Sequence, residues 1–200
     1  MTAEKFAYTP FDTDTSPFWN QANVPTECIL ELSHDEIKKG IHNCQLCAYG
    51  KLSKPLPLSN SNARVMIVGM RPDDVLFECQ SGKKLGELLE ACNMPLHDVY
   101  LTSVIKCQEV ADPLQCHHHL IGEILTVRPI LVITLGYEVA RIFSEQPALN
   151  AYVPIGFANS TMFMTYSMHD VLQDTSGQAQ TILIQHFTYI SGQIRGMKTA

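Results

Sequence analysis

Two hundred residues, 46% hydrophobic and only 17% charged, suit one domain with a full core and a short tail. The net charge is −6, and the closest approaches to a basic run are pairs such as Lys38-Lys39 and Lys83-Lys84. That balance favours protein partners over nucleic acid, whose dedicated binders carry a basic face. No stretch approaches the roughly 20 consecutive apolar residues that span a bilayer, and Met1 to Asn20 has no apolar leader core. The expectation is therefore a cytoplasmic protein away from membranes, in which seven cysteines point to metal ligation or burial rather than disulfides.

Residues 1–30 do not read as a domain; the domain is expected over 31–200. Phe6-Ala-Tyr-Thr-Pro-Phe-Asp-Thr-Asp-Thr-Ser-Pro-Phe-Trp19 has neither helical nor strand period, and its prolines and small polar groups predict disorder in isolation. Phe6, Tyr8, Phe11, Phe18 and Trp19 make it too aromatic for a bland linker. Two readings stand: anchors for a partner's groove, or a tail that folds back over its own domain.

Ser33-His-Asp-Glu36 has the form of a capping box opening a helix to about Asn43, and the helix delivers Cys44 and Cys47. Lys51 to Ala63 is rich in Pro, Ser and Asn and reads as a loop. Arg64-Val-Met-Ile-Val-Gly69 reads as a buried strand and Met70-Arg-Pro-Asp-Asp74 as the loop after it. Helical spacing follows from Lys84 to Cys92, then a strand from Val99 to Ile105. Further helices are expected over Leu114–Val127 and Tyr137–Phe143, and a strand over Ile130–Gly136. Weaker strands fall at Thr161–Tyr166 and near Ile155, and a final helix or strand over Thr181–Ile194. Apolar strands alternating with helices predict an α/β fold of three layers, a mostly parallel sheet covered on both faces. Ligands in such sheets sit at the carboxyl ends of the strands: Gly69–Asp74, Ser103–Cys107, Gly136 and the region after Tyr166.

Cys44-Gln-Leu-Cys47 is a close pair, and eight residues separate Cys107 from Cys116. Four such thiolates suit an iron–sulphur cluster or a structural zinc. Cys28, Cys79 and Cys92 read as core or surface thiols. His117-His118-His119, three neighbours at a helix start, read as a solvated face. Lys106 reads as a solvated loop lysine, and Asp73-Asp74 as a turn or helix cap.

The order of these segments resembles the iron–sulphur (family 4) branch of the uracil-DNA glycosylase superfamily. The resemblance is carried by the CxxC, the Val-Met-Ile-Val-Gly strand, Leu85-Gly-Glu-Leu-Leu89, Val-Tyr-Leu-Thr-x-Val-Ile-Lys-Cys and Arg-Pro-Ile-Leu-Val-Ile-Thr-Leu-Gly136. It covers about Ile41 to Phe143. It implies a [4Fe–4S] cluster on Cys44, Cys47, Cys107 and Cys116, with zinc the alternative. The family flips a uracil into a pocket, stacks it on a ring, reads its edge with an amide and stabilises charge while water attacks the sugar. At each of these tasks this chain departs from the family pattern. Gly-Glu-x-Pro-Gly becomes Gly69-Met70-Arg71-Pro72-Asp73, and methionine neither accepts a proton nor orients water. The base-reading asparagine falls on Ser103, and the Pro-Phe segment carrying the stacking ring is missing between Phe77 and Leu85, with Phe77 its substitute. The histidine of His-Pro-Ser falls on Ser167, leaving His169 and His186 as weak candidates.

These departures point to a catalytically degenerate scaffold that binds other proteins of replication or repair. The psi subunit of the bacterial DNA polymerase III clamp-loader assembly is similar in having a glycosylase-like body and an N-terminal docking peptide. DNA contact would then be weak. The competing expectations are an active glycosylase working through Asp73, His169 or His186 on uracil or a related damaged base, and a redox sensor using the cluster.

Overall fold

The computed structural model describes residues 33–45, 58–76, 78–107, 116–156 and 158–198. The aromatic N-terminal anchors Phe6, Tyr8, Phe11, Phe18 and Trp19 lie outside the described residues, as do Cys28, Cys47 and Phe77. The chain runs through α1 (His34–Asn43), β1 (Leu58–Ser59), β2 (Val65–Gly69), a 3-10 turn at Pro72–Asp74, α2 (Gln80–Ala91) and β3 (Val99–Ser103). It continues through α3 (His117–Val127), β4 (Leu131–Leu135), α4 (Tyr137–Ala140), β5 (Tyr152–Pro154), β6 (Thr161–Thr165), α5 (Met168–Gln173) and α6 (Gln178–Lys198).

Among the described residues, six strands form one sheet in the order β1-β3-β2-β4-β6-β5. The central four are parallel, and each edge strand is antiparallel to its neighbour. Every residue of β2, β3 and β4 is buried, because alternate side chains enter different layers. Val65, Ile67, Leu101, Ile133 and Phe163 pack against Leu85 and Leu89 of α2 and Leu183 and Phe187 of α6. Met66, Val68, Tyr100, Val132 and Met162 pack against Leu120 and Ile124 of α3 and Val139 of α4. A strand buried on both faces must be apolar throughout, which is why these segments read as continuous hydrophobic runs. Pro154 is tolerated because β5 is an edge. No helix among the described residues is long and apolar enough to cross a membrane.

The capping box at the start of α1 forms: the Ser33 amide donates to Glu36 Oε2 at 2.7 Å and the Glu36 amide to Ser33 Oγ at 3.3 Å. α3 stops at Arg128, which takes a left-handed φ of 53° directly before Pro129. Two elements differ from expectation. Leu58–Ser59, inside the stretch expected to be a loop, pairs with Leu101 and Tyr100, since sheet pairing at an edge needs only backbone groups. Ser167-Met-His-Asp170 opens a short helix, with Ser167 as its cap. Thr181–Ile194 falls inside a single helix, α6.

Candidate metal centre and strand-end crevice

From β2 the chain goes first to β3 on one side and later to β4 on the other. The crevice outside the carboxyl ends of β2 and β4 is therefore the topological switch point, where ligands of open α/β sheets bind. Gly69 is level with Ser103, and Leu135 with Thr165, so Met70, Ser103, Gly136 and Ser167 all stand at this rim.

Each of the degenerate positions is engaged within the fold. Met70 packs against the apolar group formed by Ile105, Cys107 and Cys116. The buried Ser103 hydroxyl donates to the Ile105 carbonyl at 2.7 Å. Ser167 caps α5: its hydroxyl donates to Asp170 Oδ2 at 2.6 Å and accepts from the Asp170 amide at 3.0 Å. Gly136, at φ 98°, lets Ser167 close over it; a Cβ there would lie 2.9 Å from Ser167 Cβ. Asp73 is exposed and accepts from the Cys79 thiol at 3.4 Å. Asp74 closes the 3-10 turn by accepting from the Arg71 amide at 2.8 Å. Burial pushes its carboxyl above the ordinary range, against the lowering effect of the Arg71 and Met70 amides.

The two histidines do not join these groups. His169 is exposed on α5. His186, on α6, lies with Nδ1 2.8 Å from Thr165 Oγ1 and its ring edge-on to Phe163 at 5.1 Å. Burial holds its pKa below 6.5.

Three of the five described cysteines, Cys44, Cys107 and Cys116, lie about the head of α3, though among the described residues the metal-type donors that come within 4.8 Å of one another are Cys44, His118 and His119 rather than the three thiols. Cys116 is the N-cap of that helix, and Cys107 shares its buried apolar group. Cys44 is the C-cap of α1, which packs on α3. Its Sγ and ring nitrogens of His118 and His119 lie within 4.8 Å of one another. The histidines are thus half-buried beside a thiol, not a solvated face, and burial with nearby His117 and Lys106 keeps the His118 pKa low. Soft thiol and imidazole donors in an apolar wall fit a thiolate-bound cluster or a zinc-type ion. Cys79 and Cys92 have other roles: Cys79 bonds Asp73, and Cys92 sits in the core with its thiol 3.6 Å from the Ile184 carbonyl.

Lys106 corrects another expectation. It is buried, 3% exposed, and pairs with the fully buried Glu123 of α3 at 2.5 Å. Its ammonium also donates to Thr102 Oγ1 at 2.8 Å and to the Ser103 carbonyl at 2.6 Å. Glu123 accepts further from Thr102 at 2.9 and 3.0 Å and from the Tyr100 hydroxyl at 3.1 Å. Burial and Glu123 push the Tyr100 pKa far up, so it remains a donor. This polar knot fastens the end of β3, which precedes Cys107, to the helix that follows Cys116. Glu123, Tyr100 and Thr102 went unread in the sequence, although one acid amid Leu120-Ile-Gly-Glu-Ile-Leu125 demands a buried partner.

A mostly parallel sheet covered on both faces, with a switch point between β2 and β4, defines a three-layer α/β protein. The family model described as Uracil DNA glycosylase superfamily matches residues 56–188, and the chain belongs to that superfamily. It is 32% identical over 123 residues to the Type-4 uracil-DNA glycosylase of Saccharolobus solfataricus, covering 54% of this chain and 55% of that protein. It is 30% identical over 124 residues to the Type-4 uracil-DNA glycosylase of Archaeoglobus fulgidus, covering 54% of this chain and 62% of that protein. The chain therefore spans little more than half the length of these curated relatives.

Proposed function

We propose that this protein keeps the metal frame of the iron–sulphur (family 4) branch but does not excise bases, and serves as a protein-binding accessory subunit in DNA replication or repair, in the manner of psi. The observation that carries the reading is at Met70. The position that should present a water-orienting carboxylate instead supplies a thioether to the apolar wall around Cys107 and Cys116. Ser103 and Ser167 support it, because the first hydroxyl is committed to the Ile105 carbonyl and the second to the carboxylate and amide of Asp170. The metal frame is a [4Fe–4S] cluster on Cys44, Cys47, Cys107 and Cys116. Those four thiolates would hold the cluster, which would supply a cross-link and an electron-transfer centre, and Met70 and Ile105 would provide apolar surroundings for Cys107 and Cys116. The N-terminal aromatics Phe6, Tyr8, Phe11, Phe18 and Trp19 are the docking anchors.

The test combines two measurements on the full chain. Incubation with uracil-containing single- and double-stranded oligonucleotides should release no base; release of uracil or of another damaged base ends the non-catalytic reading. Pull-down from lysate should retain a replication or repair protein and lose it on removal of residues 1–25. Unchanged capture would remove the tail from the interaction.

A further inference from the structure

The end of the sheet opposite the crevice holds a cavity that neither the cysteine frame nor the strand-end rim uses. It opens where β2 and β3 begin: Val65 and Val99 face one another across the ladder and both line it. Its volume is about 470 Å³, within the range of roughly 300–1,000 Å³ typical of ligand pockets. The local chain path creates it. After α2 ends at Ala91, Asn93 takes a left-handed φ of 53° and turns Met94 and Pro95 back toward the sheet. α6 closes the other side, where the Ser191 hydroxyl donates to the Asn93 carbonyl at 3.0 Å. Arg195 Nη2 donates to that hydroxyl oxygen at 2.7 Å and its Nε to the Ser191 carbonyl at 3.4 Å, so the guanidinium is folded onto its own helix.

We propose that this cavity docks a segment of a partner protein, taking an apolar side chain that has a basic residue beside it. Val65, Met94 and Val99 are at most 3% exposed and form an apolar floor. Leu96, next in the chain after Pro95, adds an exposed apolar side chain beside it. The mouth is acidic. Glu90 is exposed and Asp98 half-buried, two carboxylates against the single guanidinium that Ser191 already holds. The exposed His97 ring, 3.9 Å from Asp98, is the other ionisable group at this edge. With a whole-chain charge of −6, a basic ligand is attracted to this rim and an acidic one repelled. That the occupant is a protein segment rests on the accessory-subunit reading; the cavity gives that reading a docking surface built by the folded body, separate in sequence from residues 1–30.

The probes are three peptides added to the isotope-labelled full chain and followed by amide NMR. They are acetyl-Gly-Lys-Phe-Lys-Gly-amide, the same peptide with glutamates for its lysines, and the same with glycine for its phenylalanine. The first should shift the amides of Asn93, Val99 and Ile194 saturably. Loss of its phenylalanine should weaken binding at least about ten-fold, the scale of burying one ring. Glutamates in place of its lysines, or Glu90→Gln with Asp98→Asn in the protein, should weaken it about five-fold, the scale of charge pairs at a rim. The proposal is overturned if these amides do not move, or if the glutamate or glycine peptide binds as well as the first. It is equally overturned if binding appears only after removal of residues 1–25, which makes the chain's own tail the occupant. A dimer seen by sedimentation and dissociated by the peptide would overturn it too, in favour of a second copy. Base release from the oligonucleotides would defeat the accessory-subunit reading and leave these shifts unchanged.

Discussion

Glu123 gathers tyrosine, threonine and lysine donors at zero exposure, so its removal strands a buried ammonium. Glu123→Ala should destabilise the fold by about 3–5 kcal/mol, whereas replacing the pair together with Lys106→Met and Glu123→Leu should recover most of that loss. Urea unfolding of the single and double variants measures both. At the crevice rim, burial raises the Asp74 carboxyl above its ordinary 3.8, so the folded chain holds that proton more tightly than the unfolded one. Its contribution is favourable while protonated, and is lost as pH rises from the ordinary value through the raised one. The stability of Asp74→Asn relative to the parent should therefore shift in the variant's favour across that window and level off above it. A difference that does not change with pH would exclude the effect. Met70→Glu should not restore base release. It places a carboxylate against Ile105, Cys107 and Cys116 and should cost about 1–3 kcal/mol in the same urea assay.

The elements that position the centre are held by short local devices. α1 depends on its reciprocal Ser33–Glu36 cap, and its far end carries Cys44. Ser33→Ala should cost about 1 kcal/mol, read as a lower melting temperature. The core strands were legible because burial on both faces leaves an unbroken apolar run, and α1 because its cap has a sequence signature. Leu58–Ser59 was not legible, since an edge pair is made by backbone groups that any residue carries. α5 carries a cap signature, Ser167-Met-His-Asp170, hidden by its overlap with the place where the family pattern has a histidine. The packing of the histidines at the head of α3 was not legible, because three neighbours on a helix diverge by about 100° each and read as a solvated face. Side-chain rotation nonetheless brings the His118 and His119 rings to 3.9 Å and their nitrogens near Cys44.

At the scale of the whole molecule, the sheet order puts the metal pocket and the crevice on one end of the fold, with the buried knot of Lys106 and Glu123 beneath them. The fold class followed from apolar strands alternating with helices and the superfamily from the order of its motifs, while the site required contacts between residues far apart in sequence, Tyr100 to Glu123 or Cys44 to His118, that no local pattern encodes. The knot has a further consequence for how the chain can vary. Because it joins the strand before Cys107 to the helix after Cys116, the distance between those two cysteines is set by core contacts rather than by the eight residues between them. Segment 108–115 is thereby relieved of gauge-setting and becomes a natural place for insertion. Doubling its length with Gly and Ser should cost only about 0.6 kcal/mol of closure entropy and leave iron retention per chain unchanged, and the same insertion made in Glu123→Leu/Lys106→Met should not be so harmless.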